Sequence, residues 1–258
     1  MEATFLHILG NIDVLVYDAD QNLIAEGSSL TDNERVDFIS TAGQEYHFRV
    51  LGDNPGLQLR FMNKVSVNSP ITFVGTAGDD SLELVDGGAI VYAVYNGIEY
   101  EFERCEHELF VFAGNGGDDS AVIRLGQGKA TATMRPGELE LRRYAYDVDI
   151  NGVEEIKVFA GEGQTTAKMY DSPGNDRMIG KPDYSVLRGV TNEFYNYVKG
   201  FERVFAYATA GSDIANLYDS VSDDRFIGTP EYSLLRGENY EFYNYAVRFD
   251  RVHAFAAA

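Results

Sequence analysis

The residues of this chain best suited to chemistry are acids that come in pairs on glycine-rich turns. Asp79-Asp80 follows Gly78, Asp118-Asp119 follows Gly117, and Asn175-Asp176 follows Gly174, while Asp223-Asp224 closes a looser version of the same turn. Carboxylates crowded beside backbone carbonyls supply the hard oxygen donors of which Ca²⁺ takes about six to eight. Asp79, Asp80, Asp118, Asp119, Asp176 and Asp224 are therefore the candidate calcium ligands, and calcium is the cofactor the sequence suggests. The same residues also suit a plainer role, because Asp and Asn cap turns by bonding their own backbone. The sequence leaves both open.

Other side chains are weaker candidates. Tyr184, Tyr195, Tyr232 and Tyr243 could form outward rows whose rings stack on the apolar faces of sugars. Arg188 and Arg236, each in Leu-Arg-Gly, could pose as bases of a β-helix polysaccharide lyase. They occupy equivalent places, however, and a catalytic residue is normally one of a kind. Arg177, Arg225, Arg203 and Arg251 are repeated in the same way, so all six are expected to pair with repeated acids in charge ladders. Cys105 and His107 make an incomplete ligand set, since structural zinc takes four. His253 stands where the previous copy has Phe205 and is expected to be a packing position. No nucleophile elbow or phosphate loop is present. No catalytic residue is assigned, and the chain is expected not to be an enzyme. The alternative, a polysaccharide lyase or hydrolase, would need a non-repeated acid cluster in a groove.

What positions these residues is a repeat. Tyr170–Ala206 recurs as Tyr218–Ala254, identical at 22 of 37 aligned positions. Extended upstream, the pattern gives units of about 71–117, 118–164, 165–212 and 213–258. Units of this size bury their apolar faces only against neighbours. No helical period is sustained, and strand-formers alternate with turn signals such as Asn96-Gly97 and Asn151-Gly152. The expected fold is all-β: a partial β-sandwich over residues 1–68, then a repeat array over 69–258. A parallel β-solenoid suits the array best, with a small four-bladed β-propeller as the alternative. In a solenoid, identical residues one repeat apart would stack in ladders, including an amide ladder through the inward Asn196 and Asn244.

Composition excludes several functions. The net charge is −20 with a pI near 4.4, which repels nucleic acid and anionic lipid. A single cysteine rules out an internal disulfide, and no apolar run reaches the length of a membrane span. Met1–Ala3 carries no feature of a secretion signal, and the chain is read as a piece of something longer.

Two stretches resemble known families. Phe5–His7, Gly10–Asp18, Thr31–Glu34 and Thr41–Gly52 resemble bacterial pre-peptidase C-terminal domains, small β-sandwiches appended to secreted and surface proteins. Asn11 stands where that family usually has Asp, and the family's upstream strand is not matched. Segments such as Met169–Asp176 and Gly200–Gly211 resemble repeats of large secreted or surface proteins of planctomycete-like bacteria. They are distantly similar to the calcium-binding repeats of RTX-type β-rolls, although no nine-residue period is kept. The resemblance implies a secreted or cell-surface location and a structural, spacer or adhesion module stabilised by calcium. Its partners would be polysaccharide, other cell-surface components or neighbouring domains. A carbohydrate-binding module is the alternative.

Overall fold

The computed structural model describes the whole chain except Met1, Thr31, Ala42 and residues 61–64, 67–69, 104–108 and 257–258. Cys105 and His107 thus lie outside the described residues. The chain forms two compact units, Met1–Asn63 and Lys64–Ala258.

The first unit holds β1 (Glu2–Thr4), β2 (Ile12–Tyr17), β3 (Leu23–Gly27), β4 (Glu34–Arg35), β5 (His47–Gly52) and β6 (Gln58–Arg60). They form two antiparallel three-stranded sheets, ordered β4-β1-β6 and β3-β2-β5. Ile12, Val14 and Val16 alternate inward along β2 and meet Ala3, Phe5 and Val36 in a small core. β2 and β3 form a hairpin, and Asp18 Oδ1 accepts from the Asp20 and Asn22 amides at 3.0 and 2.8 Å in the turn between them. Of the segment Glu34–Ser40, only Glu34–Arg35 forms a strand, paired with β1. There the side chains bind instead of the backbone, with Phe38 packed on the rings of Tyr46 and Phe48.

The second unit is a β-solenoid of about five turns. It enters through β7 (Val65–Ser66) and β8 (Ile71–Val74). A three-stranded antiparallel meander then follows: β9 (Ser81–Asp86), β10 (Ile90–Tyr95) and β11 (Ile98–Glu103). Two single strands, β12 (Leu109–Ala113) and β13 (Ser120–Arg124), lead to a second meander, β14 (Ala130–Arg135), β15 (Glu138–Arg143) and β16 (Asp147–Asn151). The singles β17 (Glu155–Phe159) and β18 (Thr165–Tyr170) lead to a third, β19 (Asp176–Gly180), β20 (Tyr184–Gly189) and β21 (Tyr195–Lys199). After β22 (Arg203–Tyr207) and β23 (Ile214–Tyr218) comes a fourth, β24 (Asp224–Gly228), β25 (Tyr232–Gly237) and β26 (Tyr243–Val247), and then β27 (Arg251–Phe255).

These strands build two sheets. The first runs β11-β10-β9-β13-β17-β21-β20-β19-β23-β27 and the second β24-β25-β26-β22-β18-β14-β15-β16-β12-β8-β7. The chain changes sheet after each meander and after each single strand. Each unit therefore makes three crossings, an odd number, so the next unit starts on the opposite sheet. Meanders one and three belong to the first sheet, two and four to the second. The two near-identical copies consequently lie on opposite sheets. A solenoid was expected; ladders between repeat copies were also expected, and they do not form. Parallel neighbours along a sheet are about one rung apart, with offsets of 39, 35 and 37 residues at successive inter-sheet turns.

The interior follows from alternation. Leu109–Ala113 and Ser120–Arg124 bury every second residue, and the strands read as half-buried sheet. Alanines 121, 132, 167, 206 and 215 let the sheets approach, while Phe73, Phe110, Phe112, Met134 and Met178 fill the space between. Asn196 and Asn244 do point inward, at 0% and 2% exposure, but they sit on opposite sheets. Asn196 Nδ2 donates to the Arg135 carbonyl, and Asn244 Nδ2 to that of Lys181, at 2.9 and 3.0 Å. Asn196 thus ties β21 to the end of β14, and Asn244 ties β26 to the turn after β19, and neither bonds its own copy. The six repeated arginines form no charge ladder either. None makes an ion pair among the described residues, and Arg177 faces Arg188 as Arg225 faces Arg236.

Candidate metal centre

The paired acids sit where the chain crosses between sheets, and three of these crossings, those at Asp80, Asp176 and Asp224, are capped in the same way. Thr76 donates its amide and hydroxyl to Asp80 Oδ2 at 2.5 and 2.8 Å. Ser172 does so to Asp176 at 3.0 and 2.8 Å, and Ser220 to Asp224 at 2.7 and 2.8 Å. The hydroxyl also accepts from the amide two residues on, at Gly78, Gly174 and Ser222. This is a side-chain turn written into Ser/Thr at one position and Asp four later.

A second set of bonds joins the rungs. The Asp80 amide donates to Asp119 Oδ1 at 2.7 Å and the Asp119 amide to Glu154 Oε2 at 2.8 Å. Further along, the Asp176 amide donates to Asp213 Oδ1 and the Asp213 amide to Asp250 Oδ2, both at 2.8 Å. An outer row runs beside each ladder: the Asp118 amide donates to Asp79 Oδ1, and the Ser212 amide to Asn175 Oδ1, both at 2.8 Å. Carboxylates thus replace strand pairing at the bends, satisfying amides that the turn would otherwise leave without partners.

The ladders differ five residues before the first acid of each. Five residues before Asp80 stands Gly75, where a Cβ would lie 1.9 Å from the Gly114 carbonyl oxygen. Five residues before Asp176 stands Asp171. Its carboxylate accepts from the Thr209 amide and hydroxyl at 2.6 and 2.7 Å. Asp171, Asp176 and Asp213 then form a cluster, one carboxylate oxygen of each lying within 4.8 Å of the others. All three are buried, at 8%, 0% and 2% exposure. Asp176 Oδ1 is buried without a hydrogen-bond partner. Burial pushes the Asp176 carboxyl up to about 6, against the pull of its Ser172 bonds, and the charges of Asp171 and Asp213 push the same way. Burial likewise raises Asp213, and Asp119 in the other ladder.

Of the acids expected to bind calcium, only Asp176 belongs to this cluster. Asp80 and Asp119 are buried in the first ladder, Asp79 and Asp118 are exposed in its outer row, and Asp224 caps the edge strand β24 half-buried. Asp171 and Asp213 were missed by the sequence reading. They are not paired acids, and Asp213 lies 37 residues from Asp176, one rung away rather than one repeat away.

The tyrosines face outward and half-buried. Tyr184 and Tyr195 both stack against Tyr197, at 5.5 and 6.5 Å, and Tyr232 and Tyr243 against Tyr245, at 4.9 and 6.1 Å. They make two equivalent sets on opposite sheets. Burial raises the phenols of Tyr195 and Tyr243. His253 is exposed on β27, not packed. Sequence reading also missed an ion pair, Arg143 with Asp86 at 2.6 Å, the side chains 4% and 0% exposed. Tyr146 lies under that guanidinium, and the Gly126 and Gln127 carbonyls accept from it. A concavity lined by Pro182, Ser185, Phe201, Phe242 and Asn244 is too tight for a water molecule.

No protein family, curated protein or solved structure matches the chain. No helix among the described residues is long and apolar enough to cross a membrane.

Proposed function

We propose that this chain is a non-catalytic structural module, a stiff spacer or adhesion scaffold within a secreted or cell-surface protein. One observation carries the reading. The repeated polar and aromatic groups occur in equivalent sets on opposite sheets, so they do not converge on one groove. An active site needs nucleophile, base and charge-stabilising groups within reach of one reacting atom. Here Arg188 and Arg236, and the two tyrosine sets, are dispersed by the same odd number of crossings that builds the solenoid. The acids at the crossings are largely occupied in holding the bends. The resemblance to surface-protein repeats and to pre-peptidase C-terminal domains supports the location. Polysaccharide, other surface components and neighbouring domains are the partners this role implies. A polysaccharide depolymerisation screen tests it: no turnover is expected, and processive cleavage of any polymer would overturn it.

Carbohydrate binding is a second reading, supported by the outward tyrosines. A glycan array separates it from the first. Binding abolished by Tyr195→Ala and Tyr243→Ala together would favour a lectin-like module.

A further inference from the structure

The crossing from β18 into the third meander concentrates negative charge that no ion pair among the described residues balances. Asp171 leaves β18 on one sheet, Asp176 opens β19 on the other, and Asp213 precedes β23 one rung on. No Lys, Arg or His makes an ion pair with any of the three among the described residues, although the Arg143–Asp86 pair shows that the fold can pair a buried charge. Burying an unpaired carboxylate is expensive, and three together more so.

We propose that Asp171, Asp176 and Asp213 bind one hard divalent cation of the calcium class at this crossing. The donor set is all oxygen, without His or Cys, which suits calcium, magnesium or manganese and not the softer metals. Spacing agrees with a single shared ion. Oxygens about 2.3–2.6 Å from one cation lie at most about 5 Å apart, and these fall within 4.8 Å of one another. Asp176 supplies the second observation: it is fully buried, its Oδ2 is taken by Ser172, and its Oδ1 has no partner. The remaining bonds hold the other two carboxylates in place, Thr209 fixing Asp171 and the Asp176 amide fixing Asp213. Such an ion would clamp both sheets and two successive rungs at one point. This site stands whether or not the spacer role does.

The test is calorimetric titration of the chelator-stripped chain with CaCl₂, with parallel MgCl₂ and MnCl₂ arms, and thermal melts at constant ionic strength. About one site per chain is expected, with a Tm rise of several degrees. Asp176→Asn and Asp171→Asn should each weaken binding at least tenfold, while Asp224→Asn, in the equivalent turn outside the cluster, should bind like wild type. A response to any of the three ions that Asp176→Asn removes supports the site. No binding, or a Tm rise that both cluster variants keep, overturns it, the latter being general screening of the −20 charge. Circular dichroism checks that the variants fold. Should they not, anomalous scattering from crystals of the wild-type chain soaked in Mn²⁺ decides: a peak among the three carboxylates supports the site, and its absence overturns it.

Discussion

Copies three and four of the repeat have nearly the same sequence and different surroundings. Asp176 is 0% exposed, whereas its counterpart Asp224 is half-buried on the edge strand. Met178 is fully buried, and Phe226 in its place is 45% exposed. The local turn is the same in both, down to the Ser hydroxyl bond of 2.8 Å. What differs is the neighbour. β19 has β23 beside it, bringing Asp213 and Ala215, while β24 ends its sheet. A repeat sequence therefore specifies a strand, its turn and which face points in. The adjacent rung specifies whether an acid is buried among others or half-open to solvent.

The largest expected difference between the copies is in packing. Met178→Ala should cost about 2–5 kcal/mol in chemical denaturation, the range for emptying a closed core position. Phe226→Ala should cost less than about 1 kcal/mol, because the ring is already half out. Equal losses would mean that β24 is covered like β19.

A smaller contrast lies in the buried amides. Asn244 donates to the Lys181 carbonyl and its Oδ1 accepts from the Ser185 hydroxyl at 2.9 Å, whereas Asn196 Oδ1 has no partner. Asn244→Ala should thus destabilise by about 2 kcal/mol and Asn196→Ala by about 1 kcal/mol, at roughly one unit per lost bond. Melts of the two variants side by side check the order, and a reversed order would break the assignment of partners.

The turn acids give a contrast in pH dependence. An unfolded Asp titrates near about 3.9, while Asp176 in the folded chain holds its proton to about 6. Between these values the native state binds more protons than the unfolded one, so stability falls as pH rises through the window and levels off above it. In chelator, Asp176→Asn should flatten much of that fall. Asp213 and Asp119, both raised, leave a residual slope of the same sign. A wild-type stability that instead rises between about pH 4 and 6 would contradict the burial of Asp176.

The smallest effect concerns the outer rings. Tyr170 stacks on Tyr207 at 5.0 Å and Tyr218 on Phe255 at 4.6 Å. Replacing Tyr207 or Phe255 by Leu should cost about 0.5–1.5 kcal/mol each. Here the copies should agree, since both pairs are complete.

How far this was legible in the sequence follows from the same contrast. Alternation along Phe194–Tyr197, glycine-led turns and the 48-residue repeat carry strand, turn and solenoid, because each depends on neighbours in sequence. The inward placement of Asn196 and Asn244 was legible for that reason. Their partners were not, since these depend on the parity of the crossings, which no local pattern records. The Asp171–Asp176–Asp213 cluster was hidden in the same way: Asp213 arrives by rung spacing, and rung and repeat have different lengths. The arginines were misread because repetition was taken to imply stacking.

The alternation of copies between sheets can be tested directly by disulfide trapping in a Cys105→Ser background. Phe205 and Tyr245 are parallel neighbours on one sheet, whereas Tyr197 and Tyr245 are repeat equivalents on opposite sheets. Cysteines with Cα atoms more than about 7 Å apart do not bridge without backbone movement. Phe205→Cys with Tyr245→Cys should therefore oxidise readily to an intramolecular disulfide, and Tyr197→Cys with Tyr245→Cys should stay reduced. Trapping of the 197–245 pair with failure of the 205–245 pair would show that copies stack on one face, contrary to the fold described.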